Sequence, residues 1–297
     1  MLDIKFIREN KEIVKAGAQK KRVEVDIDAL IALDDTRLEI LKEVEELRGE
    51  VNKVSNEISR DLDGSAKMQL IEEMRVVKEE IKNKEEKLKN VIEEWQLLML
   101  QVPNVPDMSV PDGASDAENQ EVKVWGEKTN FSFEPKDHIE IMTALKMADF
   151  DRGTKVHGFR GYYLTGEGAR LCFAIWNYAM DFWTNKGFMP VIPPILDRKE
   201  NFLGTGFLPQ GEEDLYKTQD GEYLAGTAEV PIMGLHSGEI LDFASLPIKY
   251  LGFSPCYRRE AGSHGKDVKG LIRVHEFYKL EQVVLCEANH ETSVKFH

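Results

Sequence analysis

Cys256-Tyr257-Arg258-Arg259-Glu260 and Leu271-Ile272-Arg273-Val274-His275-Glu276-Phe277-Tyr278-Lys279-Leu280-Glu281 flank a loop, Ala261 to Gly270, rich in glycine and lysine. Both flanking runs carry β-branched and aromatic residues in alternation, which predicts an antiparallel hairpin with a mobile tip. Side chains along a strand alternate faces. Arg258 and Glu260 would therefore share one face of the first limb, and Arg273, His275, Phe277, Lys279 and Glu281 one face of the second. If the two faces coincide, guanidinium groups, carboxylates and a phenyl ring converge. Such a surface suits a nucleoside triphosphate, because guanidinium forks match phosphate oxygens and a phenyl ring can stack on a base. Residue types alone serve a surface hairpin laced with cross-strand ion pairs equally well.

Outward from the hairpin, composition narrows the class. A chain of 297 residues predicts two domains at roughly 150 residues each. Its 31% charged and 42% hydrophobic residues describe a soluble protein with enough apolar material for a core. No apolar run approaches the ~20 residues that span a bilayer, and Met1-Leu2-Asp3-Ile4-Lys5 lacks the apolar centre of a signal peptide. A cytoplasmic protein without membrane partners is the expectation. Cys172, Cys256 and Cys286 are widely spaced, with no Cys-x-x-Cys pair, and read as small hydrophobes in a reducing compartment; no metal ligands are expected. The net charge of −14 argues against indiscriminate nucleic-acid binding, yet leaves room for local basic surfaces.

The N-terminal third is helical in pattern. Residues 3 to 20 read as a short helix ending in Lys20-Lys21-Arg22, and either Asp26 or Asp28 can cap the next one. Leu41, Val44, Leu47, Val51, Val54 and Ile58 form one seam at helical spacing, and Met74, Val77, Ile81, Leu88, Val91, Trp95 and Leu98 a second. Turn residues Asp61 to Ser65 separate them, so the two helices must run antiparallel as a finger projecting on the order of 50 Å. Arg48, Lys53, Arg60, Lys67, Arg75, Lys78, Lys82, Lys84, Lys87 and Lys89 lie among its glutamates. That pattern fits a solvated coiled-coil surface and also fits contact with RNA phosphates. Pro103, Pro106 and Pro111 end the second helix. The division expected is a helical domain over 1–102, a linker over 103–121 and a second domain over 122–297.

Cys256 to Ser263 followed by Gly270-Leu271-Ile272-Arg273-Val274-His275-Glu276-Phe277 and Lys279 and Glu281 closely resembles motif 2 of class II aminoacyl-tRNA synthetases, and among them the bacterial seryl-tRNA synthetases. Other segments extend the likeness over nearly the whole chain. Lys186 to Pro194 resembles motif 1, the strand of the class II dimer interface, and Gly204-Thr205-Gly206-Phe207-Leu208-Pro209 and Glu213-Asp214-Leu215-Tyr216 resemble seryl-subclass segments. Thr227-Ala228-Glu229 is similar to the family's serine-binding segment. Gly166-x-Gly168-x-Arg170 mimics a phosphate loop, but it lacks a βαβ setting and reads as the opening of an aromatic-rich, buried helix over Ala169 to Lys186.

The resemblance implies an α+β fold: an antiparallel two-helix coiled-coil arm, then a class II catalytic domain built on an antiparallel β-sheet with flanking helices. It implies activation of L-serine with ATP to seryl-adenylate and transfer to tRNA(Ser), with tRNA(Sec) as a further acceptor. The arm would grip the tRNA, Mg2+ would bridge phosphates, and the enzyme would be a homodimer. Arg258 would hold the α-phosphate and the serine carboxylate, Arg273 the outer phosphates, and Phe277 the adenine. Arg259, Glu260 and Val274 would complete the ATP site, while Thr227, Ala228, Glu229 and Glu281 would bind serine. A site that hydrogen-bonds the serine hydroxyl rejects alanine, whose absence of a hydroxyl leaves buried acceptors unpaired. Lys266 and Lys269 in the loop would approach the acceptor end of tRNA; His138 reads as structural or surface, and His264 and His275 as polar fillers rather than catalysts. The family continues past Phe296-His297 to a motif 3, so the chain is expected to be the N-terminal portion of such an enzyme. Two rivals stand beside this reading: a non-catalytic tRNA-binding or dimerising fragment, and a paralogue that charges a carrier protein.

Overall fold

The computed structural model describes residues 2–58, 64–262 and 269–297. Arg60, the turn residues Asp61 to Asp63, His264 and Lys266 lie outside the described residues. The chain divides into two compact units, Met1–Trp125 and Gly126–His297. Among the described residues no helix is long and apolar enough to cross a membrane.

The first unit is helical. Where one N-terminal helix is expected there are two, α1 (Ile4–Glu9) and α2 (Lys11–Lys20), because the chain breaks at Asn10, the C-cap of one and the N-cap of the other. α3 (Ile27–Ile58) is started by Asp26, whose carboxylate accepts from the Ala29 N–H at 2.9 Å. Asp28 instead pairs with Lys11 and Lys15, which hold its carboxyl below the usual range.

α4 (Gly64–Gln101) runs back along α3: Arg37 lies over the Trp95 ring at 5.0 Å, and farther out Arg48 reaches Glu85 at 2.7 Å. Of the expected seam, Val44 and Val91 are buried with Ile81 and Leu88 against them, joined by Ile40 and Leu33, while Trp95 and Leu98 pack on a separate core at the base. At the base, Ile7, Val14, Ile27, Leu30, Met99 and Val102 form a separate core, so a long finger with little core of its own is anchored at one end. Buried Asp34 is held there by Arg8 at 2.9 Å and Arg37 at 2.7 Å. The outer pairs are exposed, and Glu85→Ala is expected to change stability by less than about 1 kcal/mol, a shift that thermal unfolding would register as small.

The second unit is mixed. It contains α5 (His138–Ala144), β1 (Ala148–Asp149), α6 (Phe150–His157), β2 (Tyr163–Leu164), α7 (Glu167–Thr184), β3 (Met189–Val191), β4 (Leu196–Asp197), α8 (Lys199–Gly204), β5 (Tyr223–Leu224), α9 (Glu229–Gly234), β6 (Ile248–Tyr257), β7 (Glu276–Leu285) and α10 (His290–Phe296). Strands β3, β6 and β7 form the main sheet, in that order. β6 and β7 are antiparallel, whereas β3 lies parallel to β6, so one edge departs from the antiparallel expectation.

Two helices sandwich this sheet. On one face, Ala228 and Ile232 of the α9 region pack with Tyr250 and Val283. On the reverse face, Trp176 of α7 meets Phe253 at 5.4 Å and Tyr278 at 4.9 Å. α7 opens on Gly166 at φ 47, as the structural reading of Gly166-x-Gly168 requires, and a Cβ on Gly168 would stand 2.1 Å from the Met147 carbonyl oxygen. The expectation that α7 is buried fails. Leu171, Phe173, Ile175 and Tyr178 are exposed, Tyr178 at 72%, because only the Trp176 side of this helix meets the sheet.

Candidate active site

The β6–β7 ladder runs from Ile248 opposite Leu285 to Tyr257 opposite Glu276. Directly opposed residues share a face, so Gly252, Ser254 and Cys256 form one surface with Glu281, Lys279 and Phe277. The pairing continues one step past the strand ends. The Arg258 N–H donates to the His275 carbonyl oxygen at 3.0 Å, and His275 Nδ1 donates to the Arg258 carbonyl oxygen at 3.0 Å. This places Arg258 on the face of Phe277, its guanidinium 5.3 Å from the ring centre. Its Nε donates to the Gly226 carbonyl oxygen at 3.1 Å, which orients the plane of the fork.

Strand alternation does not account for the residues beyond the strand ends. β7 begins at Glu276, so Arg273, Val274 and His275 precede the strand, and Glu260 lies three residues beyond β6. Arg273 and Glu260 nevertheless meet, Nη1 to Oε2 at 2.6 Å, because Glu260 turns the chain through a left-handed φ of 54. Val274 is buried, at 6% exposure, and Arg259 is exposed.

The opposite end of the face carries the Thr227 segment. After β5, the Ala225 carbonyl oxygen accepts from the Tyr257 N–H at 3.0 Å, tying the segment to the end of β6. Thr227 is buried; its hydroxyl donates to Glu281 Oε2 at 2.6 Å and accepts from the Glu229 N–H at 3.3 Å. Ala228 is fully buried against the sheet, and Glu229, half-buried, begins α9. Lys279 forms an ion pair with the same Glu281 oxygen that binds Thr227.

Arg258, Phe277, Thr227 and Glu281 therefore converge on one face, with Glu260 and Arg273 paired at its outer end. Among the described residues neither the Glu229 carboxylate nor the Arg259 guanidinium makes an ion pair with this cluster. Sequence reasoning undervalued three residues. Lys279 was legible from its alternation with Glu281. His275 and His138 were not, because both act on backbone groups: His138 Nε2 accepts from the Leu271 N–H at 3.2 Å and so anchors the returning limb of the loop.

Cys256 sits in the centre of this face with no exposure, and burial pushes its thiol up, away from the reactive thiolate. Near neutral pH, alkylation is expected to modify Cys286 first and to leave Cys256 unlabelled until the chain unfolds; peptide mass spectrometry of native and denatured samples checks this. A cavity of about 310 Å³ opens on the reverse of the hairpin, lined in part by Tyr162, Glu276 and Tyr278, and shares no residue with the cluster.

Known proteins match both units. Residues 1–106 match the seryl-tRNA synthetase N-terminal domain, and residues 216–296 match the tRNA synthetase class II core domain (G, H, P, S and T). The mixed sheet with its arginine-bearing hairpin is thus a class II aminoacyl-tRNA synthetase core. The serine–tRNA ligase of Thermodesulfovibrio yellowstonii is 44% identical over 288 residues, covering 95% of this chain and 68% of that protein. That of Geotalea uraniireducens is 44% identical over 292 residues, covering 98% and 69%. The crystal structure of seryl-tRNA synthetase from Pyrococcus horikoshii complexed with ATP superposes with a TM-score of 0.82 at 36% identity, over 96% of this chain and 69% of that one. Cytoplasmic serine–tRNA ligase from Naegleria fowleri in complex with AMP gives 0.82 at 32%, over 100% and 69%. This chain belongs to the seryl-tRNA synthetase family.

Proposed function

We propose that the chain carries the amino-acid-activating site of a serine–tRNA ligase. L-serine attacks the α-phosphorus of ATP through its carboxylate, pyrophosphate leaves, and the seryl group of the adenylate passes to the 3′ end of tRNA(Ser). The observation that carries this reading is the Thr227–Glu281 hydrogen bond of 2.6 Å on the same sheet face as Arg258 and Phe277. An amino acid with a hydroxyl and an ammonium needs acceptors, and a nucleotide needs a cation and a flat ring. Both sets lie side by side.

In this reading the Arg258 fork, planar and permanently charged, holds the serine carboxylate and α-phosphate together and meets the charge that grows on the phosphoryl oxygens. Arg273 takes the outer phosphates, Phe277 and Val274 the adenine side, and Glu260 and Arg259 the remaining nucleotide contacts. Thr227, Ala228, Glu229 and Glu281 enclose serine. Magnesium arrives with the triphosphate as part of the substrate.

In this reading a helical domain spans 1–102, a linker 103–121 and a catalytic domain 122–297; the N-terminal family match over 1–106 and the class II core match over 216–296 support a helical first part and a catalytic second part. The arm, with Arg48, Lys53, Lys67 and Lys82 along it, would contact tRNA phosphates. The exposed aromatic row of α7 supports a homodimer through that helix, and three unpaired cysteines support a cytoplasmic setting.

The test is serine-dependent exchange of pyrophosphate into ATP, measured for the 297-residue chain and for the product of the reading frame in which it lies. Exchange in either that is supported by serine and by neither alanine nor threonine is the expected result. No exchange in both, with long-variable-arm tRNA still bound, would leave a binding module in place of an enzyme.

A further inference from the structure

We propose that Asp214 is a positioning residue that sets the backbone turn at Glu260 and, through Glu260, the orientation of Arg273 at the nucleotide end of the site. The proposal rests on the nucleotide-binding reading above and adds a residue whose side chain belongs to neither limb of the hairpin.

The geometry is a clamp around one residue. β6 ends at Tyr257, and the last ladder bond beyond it belongs to the Arg258 N–H. At that point the next two flanking amides are taken by a single residue. The Arg259 N–H donates to the Asp214 carbonyl oxygen at 2.9 Å, and the Ala261 N–H donates to Asp214 Oδ1 at 2.8 Å. Glu260 stands between those two amides in the left-handed region, at φ 54, where a side chain with a Cβ is disfavoured and persists only when its surroundings impose it. The two Asp214 bonds impose it. The consequence reaches the site, because Glu260 so turned accepts from Arg273 Nη1 at 2.6 Å.

Asp214 is itself held from its own side, closing the short 3-10 turn Glu212–Asp214 with its N–H donating to the Gly211 carbonyl oxygen at 3.1 Å. The returning limb is anchored separately by His138. The outgoing limb of the loop therefore takes its direction from Asp214. A hydrogen bond to a backbone N–H requires an acceptor oxygen and not a charge, so an asparagine at this place can substitute for the carboxylate.

Asp214→Ala and Asp214→Asn in the 297-residue chain separate this role from general support of the fold. Asp214→Ala is expected to weaken ATP binding about tenfold, to leave serine binding within twofold and to expose the Ala261 amide to hydrogen exchange. Asp214→Asn is expected to restore both to near the parent values. Unchanged ATP binding in the alanine variant would overturn the proposal. So would equal weakening of ATP and serine together with a lowered melting temperature, which is what a merely structural residue would produce. If neither the parent chain nor the product of the reading frame in which it lies binds ATP, the nucleotide reading falls, and protection of the Ala261 amide still decides whether Asp214 is the clamp.

Discussion

Arg258→Ala is expected to lower the rate of serine-dependent pyrophosphate exchange by about 10²–10³-fold, the cost of removing one preorganised donor from a developing anion. The loss should raise KM as well as lower kcat, so that kcat/KM falls further than kcat, because in the proposed role the arginine holds a carboxylate and a phosphate already charged in the ground state and also meets the charge that grows in the transition state. Arg258→Lys keeps the charge yet is expected to recover little. A lysine has no planar fork, and it cannot reproduce the Nε bond to the Gly226 carbonyl oxygen while a second pair of donors faces the substrate. The fold should tolerate both changes, because Arg258 is held in the ladder by its main chain, through the N–H to His275 and the carbonyl oxygen to the imidazole. Melting temperatures within a few degrees of the parent would show this. Exchange within threefold of the parent in the alanine variant would remove Arg258 from the catalytic role.

The second large effect is expected from a residue that touches no substrate. Gly252 pairs with Glu281 across the ladder, and a Cβ there would stand 2.4 Å from Ile232 Cδ1 and 2.8 Å from the Ala228 Cβ, both in buried side chains. Ala228 and Ile232 bracket the start of α9, which is also where Thr227 reaches Glu281. Gly252→Val must lift this helix from the sheet. Overpacking of that kind costs about 1–3 kcal/mol, with a melting temperature lower by several degrees. The same shift draws the Thr227 hydroxyl from Glu281, so serine affinity should fall about tenfold or more while ATP affinity changes little. Gly252→Ala should show a milder form, and trimming the Cδ1 in Gly252→Ala with Ile232→Val should restore part of the loss, which a double-mutant cycle would quantify. Equal serine affinity in parent and Gly252→Val would show that α9 does not depend on this close approach.

Much of the molecule was legible from local pattern. Helical spacing of Val44, Val51, Ile81, Leu88 and Val91 marked the two limbs of the arm, because a 3.6-residue period is a property of the chain itself. Alternation marked β7, and through it the shared face of Phe277, Lys279 and Glu281, but of β6 it reached only Cys256 and Tyr257, leaving Ile248 to Pro255 unread. Alternation then misled at the strand ends. It was carried through Arg273 and Glu260, which lie outside the strands and meet by way of a left-handed turn. Aromatic content misled for α7, since composition reports how apolar a helix is and not which side finds a neighbour.

Residue types and their order alone determined the arm, the hairpin, the identities of the arginines, the phenyl ring and the carboxylates, and the family they spell. Tertiary structure decided which of them meet. Thr227 and Glu281 are 54 positions apart and become partners only because Gly252 leaves room for α9. Asp214 and Ala261 are 47 apart, and His138 and Leu271 are 133 apart. Each of these bonds ends on a group whose position depends on how distant segments pack: a backbone amide carries no side-chain signature, and a close approach at a glycine leaves no trace in periodicity. A one-dimensional pattern records what a residue prefers locally, whereas these contacts are set by the space between elements.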